Sequence, residues 1–256
     1  MDPAARLADD VEIGPWCHVG PDVELGPGCI LGARVILEGT VVAGASNRFG
    51  HGSIIGSEPQ DFAFKPGTVS RVVIGNNNTF REYVTIHRGT GENGETRIES
   101  DCYLMTGCHV GHNARLGNRV ILANNCLVAG HVTICDAFLG GGGTLFHQFI
   151  TAGTFAMSRG GSRYSKDIPP YCTGDCANRV VGINTIGLRR AGFSPADRTE
   201  IRRAFKLLFR SGLNVSQALE EAERRPWGAP AKVLFDFAKN SKRGLCEGRP
   251  GRDDEE

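Results

Sequence analysis

Of the seven histidines in the chain, His109, His112, His131 and His147 lie close together in sequence. His109-Val110-Gly111-His112 sets two imidazoles either side of one aliphatic residue, and His131 and His147 follow at 19 and 16 residues. An imidazole, with an ordinary pKa near ~6.5, takes a proton from a hydroxyl at neutral pH and returns it later in the reaction. A single histidine is more often a packed or solvated side chain than a catalyst. Several that recur at one structural spacing call for a scaffold that brings them together.

That scaffold is written into the sequence as a six-residue period. From Ile13 to Gly56 the leading positions are Ile13, Val19, Leu25, Leu31, Leu37, Ala43, Phe49 and Ile55, and all but Leu37, which precedes Glu38, are followed by glycine. Six residues fit a short strand and a turn, and three such units close a triangular coil, the signature of a parallel β-helix. The leading residue points inward; the small residue after it suits a corner where a Cβ would be crowded or φ must be positive. The period resumes at Ile74, Phe80 and Ile86 and runs from Ile98 to Ala152. Between Ile55 and Ile74 it slips by one residue, so 57–71 is expected to leave the coil as a loop, and the polar stretch 88–95 as a second. Counting by coils brings His112 and His131 together, with His147 extending the patch.

Composition narrows the rest. Lys and Arg total 29 against 28 Asp and Glu, so bulk charge argues for no nucleic-acid partner. The nine cysteines are odd in number and scattered, and Cys29, Cys108 and Cys126 fall in slots that suit small buried side chains. This reads as reduced cysteine in a cytoplasmic protein, without a disulfide framework. No signal core and no apolar stretch of membrane-spanning length is found. Beyond 178 the period is gone. Ser194-Pro195-Ala196-Asp197 reads as a helix start running to about Ser211, Asn214 caps a second helix to Arg224, and a third covers Ala229–Asn240. The expected organisation is a β-helix over 1–178, a helical domain over 179–248 and a disordered charged tail over 249–256.

Specific motifs then add to the pattern. Val84-Thr85-Ile86-His87-Arg88-Gly89-Thr90 resembles a marker of the acyl-carrier-protein:UDP-N-acetylglucosamine O-acyltransferase family, which opens lipid A synthesis. So do His109-Val110-Gly111-His112-Asn113, Ile121-Leu122-Ala123-Asn124-Asn125, Ala129-Gly130-His131-Val132 and Phe146-His147-Gln148-Phe149. The likeness continues through Asp167-Ile168-Pro169-Pro170-Tyr171 and the stretch from Gly187 to Ser194, and covers essentially the whole chain. It implies an all-β left-handed β-helix followed by a small α-helical domain, assembled as a homotrimer with active sites between neighbouring coils.

The resemblance also implies roles. His112 becomes the general base that activates a sugar 3-hydroxyl, Asn113 orients it, and the Gly130 N–H receives the oxyanion. Gln60, Asp61 and, as a candidate lysine, Lys65 in the first loop reach the nucleotide sugar. His87, His109, His131, His147, Gln148 and Asn184 match substrate contacts, and Arg190 matches an arginine facing the diphosphate or the carrier. Met157 and Gly160 fall where acyl length is measured, and the open Gly160 predicts a medium-to-long 3-hydroxyacyl group. Acyl carrier protein and UDP-N-acetylglucosamine are the implied partners, and no cofactor or metal is called for.

Three other readings compete. N-acylation of a 3-amino UDP-sugar would use the same base and cleft. A zinc-dependent β-helix carbonic anhydrase would use histidines such as His87, His109 and His112 as ligands. A scaffold protein would make the repeat itself the function, but leaves the loops and histidines unexplained.

Overall fold

The computed structural model describes residues 1–248; the expected tail 249–256 lies outside the described residues. Strands of two to five residues wind into three parallel sheets that form the sides of a prism. The first face has eight strands, from Arg6–Leu7 to Thr151–Ala152. The third also has eight, from His18–Val19 to Arg163–Tyr164. The second, beginning at Glu12–Ile13, has eleven.

Successive coils pair in register at 18-residue intervals, as in His109↔Leu127 and Val110↔Val128. The leading residues fill the interior. Val19, Leu31, Leu37, Phe49, Ile55, Ile86, Val110, Val128 and Phe146 are each at most 2% exposed, and Phe49 stacks on Phe80 with centroids 5.2 Å apart. Ile13 is the exception: it was expected inside but is 39% exposed, because its coil is the first of its face and pairs only with Ile30–Leu31 above it. All nine cysteines are free thiols. Cys108 and Cys126 donate inside the prism to the carbonyls of Ala123 and Gly141 at 3.1 Å.

Most of the corner glycines are explained by crowding and not by dihedral angle, Gly20 and Gly56 being the exceptions. A Cβ on Gly50 would lie 2.6 Å from the Arg81 carbonyl carbon of the next coil, and one on Gly26 would lie 2.7 Å from that of Gly44. Positive φ falls two residues later, where Trp16, Arg34, Ser46, Tyr83, Asn113 and His131 adopt it without being glycine. The slip in period has a local cause as well. Ile86 pairs with Ile55 but His87 pairs with Ser57, so Gly56 is the extra residue of a bulge. Its φ is +90°, and a Cβ there would strike the Glu38 carbonyl oxygen. The excursions are shorter than their expected limits, since Ser57, Ser70 and Arg71 at the first loop and Gly94 and Glu95 at the second belong to strands.

The second face runs past the expected boundary at 178. Cys172–Asp175 and Arg179–Ile183 form an antiparallel hairpin on its end, and Glu247–Gly248 adds a further strand. Hairpin pairing needs no hexapeptide repeat, so the period gave no sign of it. Four helices intervene: α1 (Thr185–Arg190), α2 (Pro195–Arg210), α3 (Val215–Glu223) and α4 (Ala229–Asn240). Ser194 and Asp197 form a capping box on α2, and Asn214 and Gln217 form one on α3. Such caps are worth about 1 kcal/mol each. Helix α1 was not expected; six residues are too few to display a helical period. Asp167, 3% exposed, ties the two parts together: its carboxylate accepts from the Thr151 amide at 2.7 Å and the Ser241 hydroxyl at 2.6 Å.

Gly50→Ala should destabilise the fold by about 1–3 kcal/mol, the usual cost of overpacking. Gly20→Ala, whose Cβ would meet nothing nearer than the Leu37 oxygen at 3.4 Å, should leave the urea unfolding midpoint almost unchanged.

Candidate active site

A cleft of about 530 Å³ runs along the third face. One row of it is made of the outward residues His109, Leu127, Leu145 and Arg163, each in register with the next. His112, Gly111 and Gly130 line it from the corner that leads to the first face; Gln60, His87, His147, Gln148 and Tyr164 complete the wall. One end is therefore rich in imidazole, the middle is apolar, and Arg163, Ser165 and Asn178 line the far end.

His112 is only 7% exposed. Its Nδ1 lies 3.0 Å from Asn113 Oδ1, and the same oxygen accepts from the Thr90 amide at 2.9 Å and the Thr90 hydroxyl at 2.8 Å. With Thr90 donating, the oxygen of the Asn113 amide must face this way, so His112 Nδ1 carries the proton and Nε2 holds a free lone pair. Counting by 18 sets Gly130, rather than His131, directly against His112. A Cβ on Gly130 would fall 2.5 Å from Cε1 and 2.6 Å from Nε2 of the His112 ring. His131 sits at the next position, meets His112 edge-on at 5.2 Å and stacks on Phe149 at 4.7 Å.

Two of the imidazoles are shifted downward, chiefly by burial. Burial pushes His109 down from its ordinary 6.5 to about 4, aided by repulsion from His87 and His112. His131 is lowered by burial and by His112, with Asp61 opposing. His109 Nδ1 meets the Thr85 hydroxyl at 2.8 Å, and its ring touches that of His87 edge-on at 5.2 Å. His87 Nδ1 bonds the Glu58 carbonyl, which fastens the first loop to the coil. Arg88 fastens it further, donating to the Gly56 carbonyl at 2.9 Å, pairing with Glu58 at 3.1 Å and lying over the Phe64 ring.

The chain therefore gathers His87, His109, His112, His147, Gln148, Gly130 and Gln60 in one cleft, with Asn113, His131 and Asp61 beside it. It does not bring the others there. Lys65 is exposed on the first loop, outside the cleft lining. Asn184 is the cap of α1: its Oδ1 accepts from the Gly187 amide at 3.0 Å and its Nδ2 donates to the Phe155 carbonyl at 3.0 Å. Arg190 is exposed at the end of α1. Met157 lies on the second face and Gly160 on the corner after it. Arg163, Tyr164 and Asn178 line the cleft and were not anticipated. For Arg163 the signal was present, since it continues the 18-residue row from His109. Arg88 and Thr90 stand in a recognised motif, but no spacing rule assigned them partners.

Cleft and coil together define a left-handed β-helix transferase of the hexapeptide class. The pattern of bacterial transferase hexapeptides (six repeats) matches residues 4–39 and 95–136, and that of UDP N-acetylglucosamine O-acyltransferase, domain 2, matches 167–246. The chain is 41% identical over 248 residues to the acyl-[acyl-carrier-protein]–UDP-N-acetylglucosamine O-acyltransferase of Halorhodospira halophila, with 96% of each chain covered. It is 42% identical over 249 residues to that of Stutzerimonas stutzeri, again with 96% of each covered. The structure matches the Francisella novicida UDP-N-acetylglucosamine acyltransferase with a TM-score of 0.92 at 34% identity, over 98% of this chain and 92% of that one. LpxA from Acinetobacter baumannii gives 0.92 at 37% identity, over 96% and 97%. The chain belongs to the acyl-[acyl-carrier-protein]–UDP-N-acetylglucosamine O-acyltransferase family and is an acyltransferase.

The depressed His109 gives a signed expectation. As pH falls below about 6.5 the unfolded chain takes up this proton before the folded one does. Stability should therefore fall between about pH 6.5 and pH 4 and level off below. His109→Gln should flatten that part of a melting-temperature-against-pH curve.

Proposed function

We propose that the protein transfers a 3-hydroxyacyl group from the thioester of acyl carrier protein to the 3-hydroxyl of UDP-N-acetylglucosamine, in lipid A synthesis in the cytoplasm. The observation that carries this reading is His112: a buried imidazole whose Nδ1 is bound to a neutral amide and whose Nε2 is free at a cleft with apolar walls. Nε2 takes the hydroxyl proton as the sugar oxygen attacks the thioester carbonyl. The tetrahedral intermediate forms an oxyanion, and the Gly130 N–H, which meets no acceptor among the described residues, is its donor. Collapse breaks the carbon–sulfur bond, and the imidazolium returns the proton to the departing thiolate.

Binding roles follow from position. His109, held neutral, can accept from or donate to the sugar without adding charge. His87, Gln60 and Asp61 flank the same end, and His147 and Gln148 stand at the cleft wall. Leu127 and Leu145, each 43% exposed, form the wall suited to an acyl chain.

The same row supports a homotrimer. The second face also presents apolar side chains outward, with Ile121 at 38% and Leu139 at 39% exposed and Met157 next in register. The first face instead carries Arg71, Glu95, Arg97 and Glu99 in ion pairs. Packing the second face of one copy on the third face of the next covers both apolar rows and closes the cleft. It also brings Met157 and Gly160 of a neighbour to the acyl wall, and it is the arrangement in which Asn184 and Arg190, remote within one chain, would approach the substrate or the carrier.

Mass spectrometry of the product from UDP-N-acetylglucosamine and carriers of graded 3-hydroxyacyl length tests the proposal. A base-labile ester of a medium-to-long acyl group is expected; no transfer, or transfer only of acetyl or butyryl groups, would overturn it. His112→Ala should lower kcat by about 10²–10⁴-fold in a protein that still folds. Gly130→Ala forces the His112 ring aside and should cost about 10²-fold in kcat, visible as a displaced imidazole in a crystal structure.

A further inference from the structure

The second loop, 88–93, is built around one residue. Gly89 and Gly94 close its neck: a Cβ on Gly89 would come within 2.3 Å of the Gly94 carbonyl carbon, and one on Gly94 would strike the Thr90 carbonyl oxygen. Gly91 turns the chain with φ +74°, and the Gly94 amide donates back to the Gly91 carbonyl at 3.0 Å. The Asn93 amide pins the tip to the Val69 carbonyl at 2.7 Å. The consequence of this tight turn is that Thr90 delivers both its amide and its hydroxyl to a single atom, Asn113 Oδ1.

Asn113 has little freedom of its own. Its backbone amide donates to Thr96 Oγ1 at 2.8 Å, and Thr96 is fully buried. Its φ is +60°, a conformation asparagine tolerates better than most residues. Rotating its side-chain amide by half a turn would set an NH₂ group against the Thr90 amide, donor against donor, and would offer His112 Nδ1 a donor instead of an acceptor. The His112 ring would then be stable in the opposite tautomer, with its proton on Nε2, where it could not act as a base.

We propose that Thr90 is a positioning residue for the transfer reaction: through Asn113 it fixes the tautomer and ring orientation of His112, and the 88–93 loop leaves the coil to place it there. This rests on the reading of His112 as the base. Thr90 itself is not among the residues that line the cleft. A neutral amide held by two donors does by geometry alone what a carboxylate would do by geometry and charge together.

The test is a pair of variants at Thr90 in two backgrounds. Thr90→Val keeps the backbone donor and the shape but removes the hydroxyl; it should lower kcat by about five- to tenfold, the equivalent of one hydrogen bond. The KM for UDP-N-acetylglucosamine and the melting temperature should stay near their wild-type values, and Thr90→Ser should restore kcat. In an Asn113→Ala background, Thr90→Val should cost nothing further, because the route to His112 is already cut. The ¹⁵N shifts of histidine-labelled protein, with His112 assigned by its loss in His112→Ala, should show a proton on Nδ1 in the wild type and a mixture of tautomers in Thr90→Val. An unmoved kcat together with an unmoved tautomer, or an equal loss in both backgrounds, would overturn the proposal. A tautomer that moves while kcat does not would uphold the positioning role and instead overturn His112 as the base.

Discussion

Everything in this molecule hangs on the hydrogen bonds between stacked coils. The amide of Gly14 reaches the carbonyl of Leu31 at 2.8 Å, that of Gly32 reaches Phe49 at 2.7 Å, and that of Gly111 reaches Val128 at 2.7 Å. These bonds fix the separation of neighbouring backbones at about 4.8 Å. A separation so small leaves no room for a Cβ at many corners, which is why glycine recurs there. It also places every eighteenth side chain in one column, so a residue's neighbours are set by arithmetic. Large residues are admitted inside the prism only in compatible layers, such as Phe49 on Phe80 or Phe146 on Tyr164.

The cleft exploits that rigidity. Imidazoles in adjoining coils have no means of spreading apart, and burial first, with neighbouring rings second, depresses His109 and His131. Gly130 adds a steric constraint to the electrostatic one, since its missing side chain is the space that the His112 ring occupies. Two excursions from the coil supply what a regular prism lacks. The 58–69 loop brings Gln60 and Asp61 to the imidazole end, held by Arg88 and His87, and the 88–93 loop brings Thr90 to Asn113.

The far end of the prism would otherwise present an unpaired coil. It is closed by the hairpin ending at Ile183, by Phe205 of α2, which packs into the prism core, and by the returning segment that Asp167 anchors. The helices bury their own cluster around Leu188, Ile201, Leu208 and Leu234, so the chain forms two cores joined through a few residues near Asp167, Ile183 and Phe209.

The sequence alone determined the coil, its inward residues apart from Ile13 in the first coil, the existence of both loops, the capped ends of α2 and α3, and the meeting of His112 with His131. These features are periodic or local, and a period or a cap is readable wherever it occurs. It also held the row from His109 to Arg163, which counting by 18 recovers. Other features are set by contacts between segments that share no period. The pairing of 172–175 with 179–183, the capping of α1 by Asn184, the hold of Arg88 on the first loop and the three donors on Asn113 Oδ1 are of this kind. In each case side chains or strands distant in the repeat come together because a turn or a bulge delivers them, and the geometry of that delivery exists only in three dimensions. The tautomer of His112 is the clearest example: sequence supplied a histidine beside an asparagine, and only the turn that presses Thr90 onto that asparagine decided which nitrogen is free.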